Sequence, residues 1–425
     1  MVTHDVVIVG GSVAGCAAAM LFARAGLAVA LVERNPDPDA YKRLCTHYIQ
    51  ASALPVLERL GLDRAIEASG GVRNRLDLHT RWGWIREGEA APDDPSGHPT
   101  HGYNLRRVRL DPLIRARAAA TPGIEWLPGH AATGLGIAAG RVASLTVRGG
   151  QGAERILRGR LHVGADGRAS ALARWAGLGV RETPNSRFFY YAAYRGLDAH
   201  GGRSRMWMGE EGICYTFPNE DGITVAAATL PKAQLPAFKA DPEAALARTL
   251  AALPEGPDLA AAERVGPVMG FVDMPNLRRR PAVPGLALIG DAALSVDPVW
   301  GTGCAFALQS AEWLVEAAAE TILADGPIDR ALRAYSRRHA RELAGHAWHI
   351  ASYASGRRWW LPERLMLEAA ARDPAQARRL FAYASRSIGL TAFMAPGALA
   401  RAAATVLRAR LAGGGVQRDP RVEAA

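Results

Sequence analysis

Between a short β-branched run, Asp5-Val6-Val7-Ile8-Val9, and an Ala-rich stretch at 13–25 stands Val9-Gly10-Gly11-Ser12-Val13-Ala14-Gly15-Cys16. A second apolar run, Ala28-Val29-Ala30-Leu31-Val32-Glu33-Arg34, follows at once. Strand, glycine turn, helix and strand within about 30 residues is the context of a dinucleotide-binding βαβ unit. It calls for a parallel sheet whose first turn offers helix N–H groups and partial positive charge to a pyrophosphate. Laid over G-x-G-x-x-G, the stretch has Gly10 and Gly15 but Ser12 in the middle position. Serine is the mildest departure, because its side chain is small and its hydroxyl can donate to a phosphate oxygen. Gly11 beside it adds backbone freedom. Glu33 closes the second strand where an acid accepting ribose hydroxyls is expected.

The 425 residues exceed one ordinary core, so a large domain with an inserted or appended second one is expected. Apolar residues at 49% and charged ones at 22% are ordinary for a soluble globular chain. No run of about 18 apolar residues occurs, so no spanning helix is expected, and the N-terminus reads as a strand rather than a leader. Cys16, Cys45, Cys214 and Cys304 lie far apart, with neither CxxC nor metal spacing. A cytoplasmic protein without a disulfide framework or a metal site is expected. The net charge of +10 comes from arginines interleaved with acids rather than from a basic block, so no nucleic-acid partner is expected.

Further along, 52–62 reads as a helix, 76–88 alternates like a strand, and 91–102 reads as an exposed loop. The segment 107–120 looks helical, with Pro112 tolerable only near the first turn. Short strands recur from 124 to 163. The stretch 187–230 alternates again and carries many of the aromatics, which makes it the best candidate for a substrate-facing antiparallel sheet. A helix is expected at 241–253 and a buried strand within 285–293. Nearly everything from there to 412 reads as helical, and 413–425 as a disordered tail.

Two more pieces resemble the first in kind. Leu161-His162-Val163-Gly164-Ala165-Asp166-Gly167 ends a strand before a helix, and Leu288-Ile289-Gly290-Asp291 leads through Pro298 and Gly301-Thr302-Gly303 into a long amphipathic helix. In this order and at these spacings, the three motifs resemble the FAD-dependent monooxygenases of the para-hydroxybenzoate hydroxylase type. The wider clan, similar in the same motifs, includes geranylgeranyl reductases and flavin-dependent halogenases. The resemblance covers about residues 1–325. It implies an α/β fold: a Rossmann-like FAD-binding domain (1–71, 104–180 and 276–330), an inserted antiparallel β-sheet substrate domain (72–103 and 181–275) and C-terminal helices (331–412).

Residue by residue, the resemblance implies that Gly10, Gly11, Ser12, Ala14 and Gly15 hold the FAD pyrophosphate. Glu33, with Arg34 beside it, would take the adenosine ribose. Arg43 and Arg107 would lie near the cofactor, and Asp166-Gly167 would support pyrophosphate and nicotinamide binding. Asp291, after Gly290, would accept a ribityl hydroxyl, and Pro298, Gly301, Thr302, Gly303 and Cys304 would lie against the isoalloxazine. Main-chain N–H groups of that last stretch suit the negative charge of reduced flavin. The sequence departs from many aromatic hydroxylases at Leu294, Thr302 and Ala305, toward the reductase and halogenase side. The middle sheet has Cys214-Tyr215-Thr216-Phe217-Pro218 in place of the halogenases' W-x-W-x-I-P.

Trp82, Tyr191, Trp207, Tyr215, Phe217 and Trp300 are the substrate-pocket candidates, each equally at home in a core. No catalytic residue stands out; His47 and Thr302 are the candidates, His47 being as readily a packed histidine. Cys45 and Cys304 lack a partner nearby in sequence, which argues against redox pairing. His339, His346 and His349 fit helix packing, as does Gly356-Arg357-Arg358-Trp359-Trp360. The whole implies an FAD enzyme that uses NADH or NADPH and O2 to hydroxylate or epoxidise a hydrophobic, aromatic or polyunsaturated small molecule, as in secondary metabolism. The alternatives are a C=C reductase and a flavin-binding protein without turnover.

Overall fold

The computed structural model describes residues 3–412 apart from 87, 89–98, 100, 151 and 199. The tail expected at 413–425 and most of the loop expected at 91–102 lie outside them. The chain opens with β1 (Thr3–Val9), α1 (Val13–Arg24) and β2 (Val29–Glu33), then the hairpin β3 (Leu76–Thr80) and β4 (Gly83–Arg86). There follow α2 (Arg107–Ala119), β5 (Ile124–Pro128), β6 (Glu154–Gly164), β7 (Arg187–Arg195), β8 (Ser204–Met208), β9 (Ile213–Pro218) and β10 (Ile223–Pro231). The last strand labelled here is β11 (Leu286–Leu288). After it come α3 (Gly303–Leu323), α4 (Ile328–Ala354), α5 (Leu361–Ala370), α6 (Pro374–Ala384) and α7 (Pro396–Leu411).

The first sheet has eight strands, of which β11-β6-β1-β2-β5 run parallel, with Val6 opposite both Leu161 and Val29, while residues 131–148 and 282–283 add antiparallel strands. Its central strands are covered on both faces, and Val6, Val7 and Ile8 are wholly buried. That is why β1 is a continuous apolar run rather than an alternating one. Helix α1 is buried along Val13–Phe22 because α2 and α3 pack against it. Crevices of such a sheet open at the carboxyl ends of its strands, and three of the sequence motifs sit there: Gly10 after β1, Glu33 ending β2 and Asp166 after β6.

The second sheet runs β7-β10-β9-β8-β3-β4. Its pairs are antiparallel except β3 with β8, which is parallel, Leu76 opposite Ser204. The sheet is antiparallel as expected apart from that one pair, because β3 comes from a distant segment and no hairpin sets its direction. Alternation sorts the aromatics. Phe189, Tyr191, Met206, Tyr215 and Phe217 share one core with Trp359, Leu380 and Phe381 of the C-terminal region. Phe188, Tyr190 and Trp207 share another with Leu246 and Leu250, on the opposite side.

The C-terminal helices therefore cover one face of this sheet. Trp359 stacks on Trp82 at 5.7 Å between ring centroids, while Trp360 stacks on Trp348 at the surface. Glu363 receives His349 Nε2 at 2.5 Å and Arg357, and these partners hold its carboxyl at about 2 against the cost of burial. His346 lies flat on Tyr383 at 4.6 Å. Helix α2 keeps Pro112 at its sixth residue, further in than the first turn, at the loss of one backbone bond.

Candidate functional site

The turn after β1 is shaped by what its glycines touch. Gly10 has φ +113°, and a Cβ there would lie 2.3 Å from the Ala165 carbonyl oxygen. A Cβ on Gly15 would lie 1.8 Å from the Gly10 carbonyl oxygen, so α1 rests directly on the turn. Ser12 has extended backbone, φ −113°, and serves as the α1 N-cap without a side-chain cap bond. The middle position of this fingerprint therefore does not need glycine's conformational range. The Gly11 N–H donates to Glu33 Oε2 at 2.7 Å, which fixes the acid at the mouth of the turn. Ala14 is buried beside Gly290, while Arg34 follows β2 on the exposed surface.

Arg107, at the first residue of α2, is the hub. It is 4% exposed, pairs with Asp111 at 2.6 Å, and donates to Ser12 Oγ at 2.8 Å. Its Nη1 lies 3.9 Å from Cys45 Sγ, and its backbone N–H donates to His47 Nδ1 at 3.0 Å. His47 holds φ +60°, a conformation few non-glycine residues adopt. With Nδ1 accepting from the α2 N-terminus and burial pushing its pKa down, His47 is a neutral positioning group. Arg43 is exposed, and its carbonyl accepts from the Tyr191 hydroxyl. Lys42, which the sequence did not single out, forms a 2.8 Å ion pair with Asp291.

Asp166 accepts from the Leu172 N–H through one oxygen. Its other oxygen is buried without a hydrogen-bond partner among the described residues. Gly167 follows at φ +76°. Gly290, at φ +57°, packs against Ala14 and presents Asp291, whose carboxyl is raised by burial but held below the usual range by Lys42, Arg107 and Arg168. The stretch Pro298–Trp300 is a 3₁₀ turn capped by Asp297, and Gly301 at φ +62° lies against the Tyr48 ring. Thr302 Oγ1 is buried and unpaired among the described residues, and Gly303 and Cys304 open α3. Asp297 is wholly buried. It is held by Arg187 at 3.1 Å and Asn185 at 2.7 Å, so the second sheet clamps this stretch from behind.

Beside Trp300 lies a small recess of about 20 Å³, lined mainly by Tyr48, Gln50, Met206, Phe217, Trp300 and Phe381. Gln50 donates to the Trp300 and Ala384 carbonyls at 2.8 and 2.5 Å, while its Oε1 is buried without a partner among the described residues. Of the sequence candidates, Phe217 and Trp300 line the recess, and Tyr215 stacks on Phe217 at 4.4 Å. Tyr191 stands behind, edge-on to His47 at 5.8 Å, and Trp82 packs on Trp359. Trp207 lies away from the recess. It points to the opposite face and donates to the Pro254 carbonyl, because its neighbour Met206 takes the recess side of β8. Gln50, Phe381 and the Arg187–Asp297 pair carried no local signal, since each acts across a long sequence separation.

The donor set suits an FAD. Glycines leave room for close approach, two helix N-termini offer amides, Glu33 stands at the mouth of the first turn, and Asp166 and Thr302 each keep a buried polar atom without a partner among the described residues. Among the described residues no group of three or more His, Cys, Asp or Glu could hold a metal ion, and no helix is long and apolar enough to cross a membrane.

Comparison with known proteins agrees with that donor set. The family described as FAD binding domain matches residues 3–231. Digeranylgeranylglycerophospholipid reductase 2 of Methanothermobacter thermautotrophicus is 28% identical over 359 residues, covering 80% of this chain and 84% of that protein. Kynurenine 3-monooxygenase of Salinispora arenicola is 27% identical over 322 residues, covering 70% and 68%. A solved flavoprotein/dehydrogenase from Cytophaga hutchinsonii superposes with a TM-score of 0.80 at 16% identity, covering 96% of this chain and 100% of that one. The family match spans more than half of the sequence, and the chain belongs to the FAD-binding family.

Proposed function

We propose that this flavin-dependent oxidoreductase is a monooxygenase that takes electrons from NADH or NADPH and uses O2 to hydroxylate or epoxidise a hydrophobic, aromatic or polyunsaturated small molecule. The observation that carries the reading is the recess beside Trp300. It is walled by Phe217, Met206, Phe381 and Tyr48 and adjoins the glycine stretch at the α3 N-terminus. Oxygen transfer needs water excluded from the reacting atoms, and such walls do that.

Bound at the motif-bearing mouth of the first sheet, FAD would supply the two-electron chemistry. The chain's own part is binding and orientation. The α1 amides and the Arg107 guanidinium, held by Asp111 and Ser12 Oγ, would neutralise the pyrophosphate. Glu33 receives the adenosine ribose, and Asp291, released from Lys42, a ribityl hydroxyl. With FAD bound, the Gly303 and Cys304 amides at the α3 N-terminus would stabilise negative charge on the reduced ring. Gln50 Oε1 accepts a hydrogen bond from a polar end of the substrate, because nothing else among the described residues satisfies it.

A panel of hydrophobic substrates should contain one that stimulates NADPH oxidation and carries label from ¹⁸O₂ into product. Stimulation without label in any product would exclude oxygenation. A second reading, C=C reduction, is favoured by the reductase relatives and by the Cys45 thiol beside Arg107. Product formed under strict anaerobiosis would establish it in place of the first.

A further inference from the structure

The two tryptophans of Gly356-Arg357-Arg358-Trp359-Trp360 part company. Trp359 is 6% exposed and turns inward, onto Trp82 and into the core that also holds Phe217 and Phe381. Trp360 turns outward at 42% exposure and stacks at 5.4 Å on Trp348 of α4, itself 56% exposed. Leu361, the first residue of α5, is 77% exposed, and Pro362 after it is exposed as well. Single apolar residues at a surface need no explanation, but two stacked indoles next to an exposed leucine make a patch. The charge around it is one-sided. Arg357 lies over the Trp360 ring at 3.5 Å and binds Glu363. Glu363, the one acid within residues 348–364, is buried and also holds His349 and the Trp360 N–H, so its charge is spent inside the fold. Arg358 and Arg364 are exposed, and no carboxylate among the described residues pairs with either. Apolar surface and free cations without a free acid suit a fluid anionic surface, which satisfies both without a matching shape.

We infer that the face carrying Trp348, Trp360 and Leu361 docks this protein on the surface of an anionic lipid bilayer. The two indoles and Leu361 enter the boundary between headgroups and acyl chains, while Arg358 and Arg364 pair with the lipid phosphates and carboxylates. Among the described residues no helix is long and apolar enough to cross a membrane, so this contact is peripheral. Because Trp359 packs into the core that holds the recess walls Phe217 and Phe381, docking sets that side of the molecule against the lipid. Bringing a hydrophobic substrate within reach is the use of such a contact. That use rests on the function proposed above, whereas the docking does not.

FAD-loaded protein is mixed with vesicles of about seven parts phosphatidylcholine to three of phosphatidylserine, or of phosphatidylcholine alone, and the bound fraction is read by flotation. The expected result is binding to the mixed vesicles and binding about tenfold weaker to phosphatidylcholine. A chain of net charge +10 attracts anionic lipid even without a patch, so the variants decide. Trp360→Ser with Leu361→Ser keeps the charge and should weaken binding about tenfold, with the FAD content unchanged. Arg358→Gln with Arg364→Gln should weaken it by a similar factor. Arg158→Gln with Arg248→Gln, the same loss of charge at two exposed arginines elsewhere, should change it less than about twofold. Equal losses from the two arginine pairs, or full binding by the Trp360→Ser, Leu361→Ser protein, would overturn the inference. So would a dimer, seen by gel filtration without lipid, that this variant dissociates, since the face would then belong to a second copy. Flotation needs no turnover, so a protein that oxygenates nothing would still bind.

Discussion

The mouth of the first sheet and the recess on the second are built by different means. At the mouth the backbone does the shaping: Gly10, Gly15, Gly290 and Gly301 sit where a Cβ would strike neighbouring atoms, and helix N-termini supply the polar groups. Around the recess, side chains from remote segments do it. Gln50 reaches Ala384, Trp82 reaches Trp359, and Arg187 reaches Asp297. A site made from backbone tolerates only small residues but many surroundings. One made from packed side chains is retuned by single substitutions, which suits a cofactor held constant and a substrate that varies.

The sharpest way to break that contrast is at Gly15. Gly15→Ala places a methyl within 1.8 Å of the Gly10 carbonyl and must lift α1 off the turn. The expected outcome is loss of bound FAD after purification with the far-UV circular dichroism retained, read from the flavin absorbance. Next is the clamp behind the glycine stretch. Arg187 and Asp297 are both essentially unexposed, so Arg187→Met leaves a buried carboxylate without its partner and should cost about 3–5 kcal/mol in urea unfolding. A loss under about 1 kcal/mol would mean the pair is not what joins the two regions.

Smaller effects sharpen the picture. Asp291→Ala should weaken FAD binding by about 1.5–3 kcal/mol in a fluorescence-quenching titration, the loss of a hydrogen bond to a charged group. Unchanged affinity would remove Asp291 from the ribityl role. Ser12→Gly should change FAD affinity by less than about 0.5 kcal/mol. Ser12 already sits in extended backbone and shares Arg107 rather than capping α1.

The same division explains what was legible in the sequence. The strand, turn and helix around Gly10–Gly15, Glu33 and the Gly290-Asp291 turn are local patterns, and the parallel sheet follows from them. The α4–α7 region reads as helical from its composition. Which aromatic faces the recess was legible only in part. Alternation puts Met206 and Trp207 on opposite sides of β8 but does not say which side is which, and the pairing of β3 with β8 was invisible from either strand. Lys42, Gln50 and Asp297 came from tertiary structure, because each partner lies far along the chain.

The central claim is that a backbone-built flavin site opens onto an apolar recess where oxygen is used. Oxygen uptake by the anaerobically reduced, FAD-loaded protein tests it most directly, with the peroxide released counted against product. The account predicts about one O2 consumed per reduced flavin, with Phe381→Ala, which opens the recess wall, shifting the yield from product toward peroxide. A reduced, bleached flavoprotein that takes up no oxygen with any substrate would contradict it.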